Sequence, residues 1–97
     1  MQDGYSHIQI KESQVQSEPK GSSIQASIDG HWLSVVFLKN LDQVYIEILH
    51  DGGGEAQSQS TPTPNGVDFY IPFAGSYIIT FTLPNGDVYY GGFEITD

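Results

Sequence analysis

The chain has 97 residues, enough for one domain with a thin core, since a chain this short buries only roughly 60–65% of its unfolded surface. Twelve acids against three Lys and no Arg give a net charge of −9, without the clustered cations that nucleic acid or an anionic membrane surface requires. The absence of Cys excludes a disulfide scaffold, thiol catalysis and Cys-ligated zinc, and no apolar run approaches the ~20 residues of a membrane span.

Taken in chain order, the sequence alternates with period two and shows no helical stripe. The stretch "YSHIQIK" (5–11) places Ile8 and Ile10 on one face and predicts a first strand. "ESQVQSEPKGS" (12–22) is polar, carries Pro19 and Gly21, and reads as a crossing linker or a loose edge. Residues 1–22 thus form a first strand and polar linker within a single domain, 1–97. "SIQASIDGHWLSVVFL" (23–38) predicts a hairpin with Ile24, Ala26 and Ile28 on one face and Asp29-Gly30 at the turn. Its return strand, 32–38, is nearly all apolar and is expected to lie centrally, covered on both sides or nearly so.

After a turn at 39–43, "VYIEIL" (44–49) turns Val44, Ile46 and Ile48 inward and Tyr45 and Glu47 outward. "HDGGG" (50–54) ends that strand, and "EAQSQS" (55–60) has too few apolar residues for more than an edge. "TPTPNG" (61–66) cannot be central, because each Pro lacks a ladder donor. "VDFYI" (67–71) turns Val67, Phe69 and Ile71 inward, leaving Tyr70 outside. Beyond Gly75, residues Tyr77, Ile79, Phe81 and Leu83 share a face, Pro84-Asn85-Gly86-Asp87 turns the chain, and "VYYGGFEI" (88–95) closes it. The Gly91-Gly92 pair marks a bulge or the close approach of another backbone. About seven short antiparallel strands at this spacing predict an all-β, two-sheet sandwich.

Tyr77 carries the strongest local motif. Pro72 stops one strand, Gly75 permits a sharp return, and Tyr77 leads the inward face of the next. In immunoglobulin-like sandwiches a Tyr so placed fills the end of the core and bonds its hydroxyl to a backbone group a few residues upstream. Tyr77 and Gly75 are therefore read as structural.

The strings "IDGHWLSVVFLKNLDQVYIEI" and "IPFAGSYIITFTLPNGDVYYGGFEI" resemble the small DUF3244-type proteins of Bacteroidetes, over roughly residues 24 to 95. The resemblance implies an immunoglobulin-like sandwich of unknown function, exported to the periplasm or cell surface. "MQDGYSHIQI" contains no visible signal peptide, which by itself fits a cytoplasmic protein or the mature part of a secreted one, and the resemblance favours the second. The family brings no catalytic residues to carry over.

Few motifs suggest chemistry. Asp51 and Glu55 flank a triple glycine but lack the alternating acids of a calcium loop, so a plain hairpin loop is expected. His7, His31 and His50 are widely spaced, with no His-x-His pair for zinc on a strand. Ser34 and Ser76 have no base nearby in sequence, and neither a Gly-x-Ser-x-Gly elbow nor a phosphate loop is present. No catalytic, metal or cofactor site is assigned. The outward aromatics are Tyr45, Tyr70 and one of the adjacent pair Tyr89 and Tyr90, of which Tyr89 is chosen. Such rings stack on sugars or anchor protein partners, although Tyr is also simply common in strands. The expectation is a non-enzymatic extracytoplasmic module, monomer or weak dimer, binding a protein or glycan through a sheet face or edge strand. The competing expectation is a cell-envelope spacer or accessory domain without a specific ligand. Neither nucleic-acid binding nor membrane insertion is expected.

Overall fold

The structure, a computed structural model, describes residues 5–14 and 23–96. Nine strands run through them: β1 (Tyr5–Ile8), β2 (Lys11–Gln14), β3 (Ile24–Asp29), β4 (Trp32–Phe37), β5 (Gln43–His50), β6 (Glu55–Pro62), β7 (Val67–Tyr70), β8 (Gly75–Thr82) and β9 (Val88–Ile95). They form two sheets, sheet 1 in the order β1-β3-β4-β7 and sheet 2 in the order β2-β9-β8-β5-β6, with every pairing antiparallel. The fold is the expected all-β sandwich.

Alternation decides the core. Ile24, Ala26 and Ile28 of β3, Leu33, Val35 and Phe37 of β4 and Phe69 of β7 face Val44, Ile46 and Ile48 of β5 and Tyr77, Ile79 and Phe81 of β8, all buried. Phe37 and Phe81 meet edge to face, ring centroids 6.1 Å apart, the arrangement that ring quadrupoles favour.

The first strand divides in two. β1 pairs with β3, the chain crosses at Gln9 and Ile10, and β2 pairs with β9. One short segment therefore closes a side of the sandwich by joining both sheets. Gly91 makes the crossing possible: a Cβ there would stand 2.7 Å from both the Gln9 carbonyl oxygen and Ile8 Cγ2. Residues 15–22, the rest of the expected linker, lie outside the described residues.

The hairpin turn sits one residue later than its sequence suggests. Asp29 pairs with Trp32, so Gly30 and His31 form the loop, with Gly30 alone at positive φ, 63°. Glycine at the first central position suits a type II′ turn, whereas Asp29-Gly30 at the centre would need two left-handed residues. β4 is central, between β3 and β7, but only its inner face is covered: Trp32 and Val36 are exposed. Sheet 1 has no further layer over its outer side among the described residues, and the apolar run of β4 overflows the core.

Opposite the N-terminal crossing, the sandwich is tied by polar contacts. Gln57 of β6 donates from Nε2 to the Tyr70 carbonyl oxygen of β7 at 2.6 Å, linking the two sheets' edges. Thr63 fastens the β4–β5 connection, accepting from the Leu41 N–H at 2.6 Å and donating to the Asp42 carbonyl oxygen at 2.8 Å.

Candidate functional site

The outer face of sheet 1 is a grid set by register. Across the first row run Asp29 of β3, Trp32 of β4 and Tyr70 of β7, each directly opposite the next. The second row holds His7 of β1, Ser27, Ser34 and Asp68. Gln25 and Val36 pair in the third. Directly opposed residues stand about 4.5–5.5 Å apart at Cβ, so each row is a set of touching neighbours.

Trp32 and Tyr70 stand at one end of this face, where β4 begins and the edge strand β7 ends. Their rings lie 5.2 Å apart, tilted by 60°, with Trp32 52% and Tyr70 50% exposed. About half of each residue thus faces water. His31 steadies the pair from the turn. Its Nδ1–H donates to the Ile71 carbonyl oxygen at 2.7 Å while the Ile71 N–H donates to the His31 carbonyl oxygen at 2.9 Å. These bonds extend the β4–β7 pairing beyond Trp32 and Tyr70, and the His31 ring lies 5.9 Å from that of Tyr70. Exposed Asp29 and Asp68 flank the pair, one beside Trp32 and the other two residues before Tyr70 on the same face.

The three tyrosines marked from sequence do not come together. Tyr70 belongs to this face. Tyr45 is exposed on the outer face of sheet 2, between Ser60 and Thr82. Tyr89 is corrected: it is completely buried, opposite Phe81 on the inner side of β9, and Tyr90 is the member of the pair turned outward. Adjacent tyrosines on a strand face opposite ways. The glycines that follow have no side chain to reveal which is which, and the β8 register decides.

The sequence reading missed Trp32, His31 and the two carboxylates. A signal was present: Trp32, Ser34 and Val36 alternate with Leu33, Val35 and Phe37. A serine within the outward set indicates an uncovered face.

Tyr77 is buried, and its hydroxyl donates to the Phe73 carbonyl oxygen, four residues upstream, at 2.7 Å. Its ring stacks on Phe93 with centroids 5.5 Å apart. Gly75 takes φ of 152°, a conformation that suits glycine. This corner is part of the core.

The remaining polar groups form no convergent set. Gly52, Gly53 and Gly54 all have positive φ and shape the β5–β6 turn, closed by the His50 N–H on the Gly54 carbonyl oxygen at 2.9 Å. Glu55 turns to Glu47: their shared side-chain hydrogen bond, then lost hydration, then mutual repulsion raise the Glu47 pKa above the ordinary carboxylate value. His50 lies against the Tyr77 ring, while His7 and His31 belong to sheet 1. Among the described residues no three His, Asp or Glu gather as metal ligands would. A groove of about 460 Å³ opens between β1 and β9, lined by Ile8, Ile28, Gly92 and Phe93, with His7 and Glu94 at polar positions.

No family model matches the sequence, and no curated protein matches it. Among solved structures, the chain is similar to the crystal structure of a DUF3244 family protein with an immunoglobulin-like β-sandwich fold from Bacteroides vulgatus. The likeness has a TM-score of 0.79 at 15% identity and covers 95% of this chain and 99% of that one. The chain is thus an immunoglobulin-like β-sandwich protein. The family that its sequence resembles is the family of this structural neighbour.

Proposed function

We propose that this chain is a non-enzymatic binding module, working outside the cytoplasm, that holds a protein or glycan partner on the outer face of sheet 1. The observation that supports this reading most is the Trp32–Tyr70 pair, two large rings half open to water at the turn end of sheet 1. Large apolar groups left exposed side by side on a rigid surface suit an interaction site, and Trp and Tyr are common energetic anchors of interfaces. Sheet geometry supplies preorganisation: register, the Ile71–His31 bonds and the Gln57 tie hold the rings before any partner arrives. The extracytoplasmic location comes from the family resemblance. In this reading the module acts as a monomer or weak dimer.

Crosslinking capture from fractionated source cells tests the proposal, comparing the native chain with a Trp32→Ala/Tyr70→Ala variant of matched fold. A partner recovered by the native chain from an extracytoplasmic fraction and lost with the variant supports the reading. A partner retained by the variant removes the face from consideration. No enrichment of protein or glycan over the control favours a spacer or accessory domain.

A further inference from the structure

We infer that the ligand of the Trp32–Tyr70 face is a basic protein segment, an exposed stretch presenting Arg or Lys side chains. The inference rests on the reading of this face as a binding surface and names the chemistry of the partner.

Three observations converge on a cation. The first is the pair of exposed rings, whose negative faces attract a guanidinium or ammonium group, Trp most strongly. The second is the placement of Asp29 and Asp68. Asp29 is the direct cross-strand neighbour of Trp32, so a guanidinium lying on the indole is within reach of a carboxylate. Arg suits this double demand, because its planar fork both stacks on rings and pairs with carboxylates. Asp68 sits one row further, opposite Ser34, and offers a second anionic position for the next basic side chain.

The third is that, among the described residues, no lysine lies on this face. Of the lysines among the described residues, Lys11 lies on β2 in the other sheet and Lys39 lies beyond β4 in its connection to β5. The whole chain carries −9, so its long-range field draws a basic partner in and repels an acidic one. The same charge opposes docking of a second copy, which would bring an equal negative charge onto the face. A neutral sugar would use the rings but gain nothing from the net charge of the carboxylates, and its binding would be nearly indifferent to salt.

Trp32 is the only tryptophan in the chain, so intrinsic fluorescence reads the site directly. The native chain is titrated with an alternating Gly-Arg octapeptide, its Gly-Glu counterpart and a neutral β-linked glucan oligosaccharide. A saturable change with the Gly-Arg peptide alone is expected, weakening several-fold as salt rises from about 0.05 M to about 0.5 M. An Asp29→Asn/Asp68→Asn variant, which keeps side-chain shape at two exposed positions, should lose roughly fivefold in affinity, as expected for two exposed ion pairs. Its circular-dichroism melt should match the native one.

No saturable response to the Gly-Arg peptide overturns the inference. So does an equal response to Gly-Glu, equal affinity in the Asn variant, or a stronger response to the oligosaccharide. The crosslinking capture separates the two levels. A partner lost with Trp32→Ala/Tyr70→Ala, yet kept at high salt and by the Asn variant, leaves the binding face standing and removes the basic ligand. A partner kept by the Trp32→Ala/Tyr70→Ala variant removes both.

Discussion

Sheets 1 and 2 are built from the same alternation, and their inner faces share one core, yet their outer faces differ. On sheet 2 the outward row of β8 is Ile78, Thr80 and Thr82, half-buried between neighbours on β5 and β9. Tyr45 is its one strongly exposed aromatic, set between Ser60 and Thr82. On sheet 1 the equivalent central strand presents Trp32 and Val36, with Tyr70 against the indole. The first face is an ordinary solvated sheet surface whose side chains cover one another. The second exposes apolar surface that the fold does not need, next to two carboxylates. Fold stability is therefore expected to reside in the inward aromatics and recognition in the outward pair, and substitutions can break that division.

The largest effect is expected at Tyr89. Replacing this completely buried ring by Ala should cost about 3–5 kcal/mol, while Tyr45→Ala should cost about 1 kcal/mol. Urea denaturation of both variants checks this, and equal losses would break the inward–outward contrast. Next comes Gly91→Ala, expected to cost about 1–3 kcal/mol through the clash with the N-terminal crossing. Gly92→Ala is its control, since a Cβ there meets nothing closer than the Tyr77 carbonyl oxygen at 3.9 Å. Comparable melting temperatures for the two would contradict the crossing.

Tyr77→Phe removes the donor to the Phe73 carbonyl oxygen and should cost a comparable 1–3 kcal/mol, at about the lower end if water reaches the carbonyl. An unchanged denaturation midpoint would leave the corner without an energetic role. Trp32→Ala should cost about 1–3 kcal/mol, the aromatic pair plus the covered part of the indole, while abolishing partner capture. A larger stability loss would make the outer face part of the fold's support.

The smallest effect separates charge from packing on sheet 2. The Glu47 pKa is raised in the folded state, so the folded chain holds that proton more tightly than the unfolded chain does. The associated stability is present in acid, below the ordinary carboxylate pKa, and is lost as pH rises through the raised value. Glu47→Gln should therefore lift the melting temperature slightly at neutral pH. The difference should close in acid. A gain that persists at low pH would assign it to packing instead.

Much of this architecture was legible because burial imposes period two. The inward sets Val44-Ile46-Ile48 and Tyr77-Ile79-Phe81 are unambiguous when read alone, and Gly75 with Tyr77 marks the corner locally. Legibility failed where local signals tie. Asp29-Gly30 and Gly30-His31 are both plausible turns, and the observed pairing of Asp29 with Trp32 selects the second. Tyr89 and Tyr90 are chemically identical, and the pairing of β9 with β8 chooses which is buried. The N-terminal stretch looked like one strand because alternation records a face and not a sheet.

The sequence by itself determined an all-β sandwich, its hairpins, most of its core and its tyrosine corner, because side-chain alternation and turn chemistry act over a few residues. Tertiary structure alone decided which faces remain open and which distant residues meet there. Trp32 and Tyr70 are far apart along the chain, and only the β4–β7 register sets them together, with Asp29 and Asp68 alongside. An apolar strand reads the same whether one face or both are covered. Coverage is a property of how the sheets stack, and no short stretch of residues contains it.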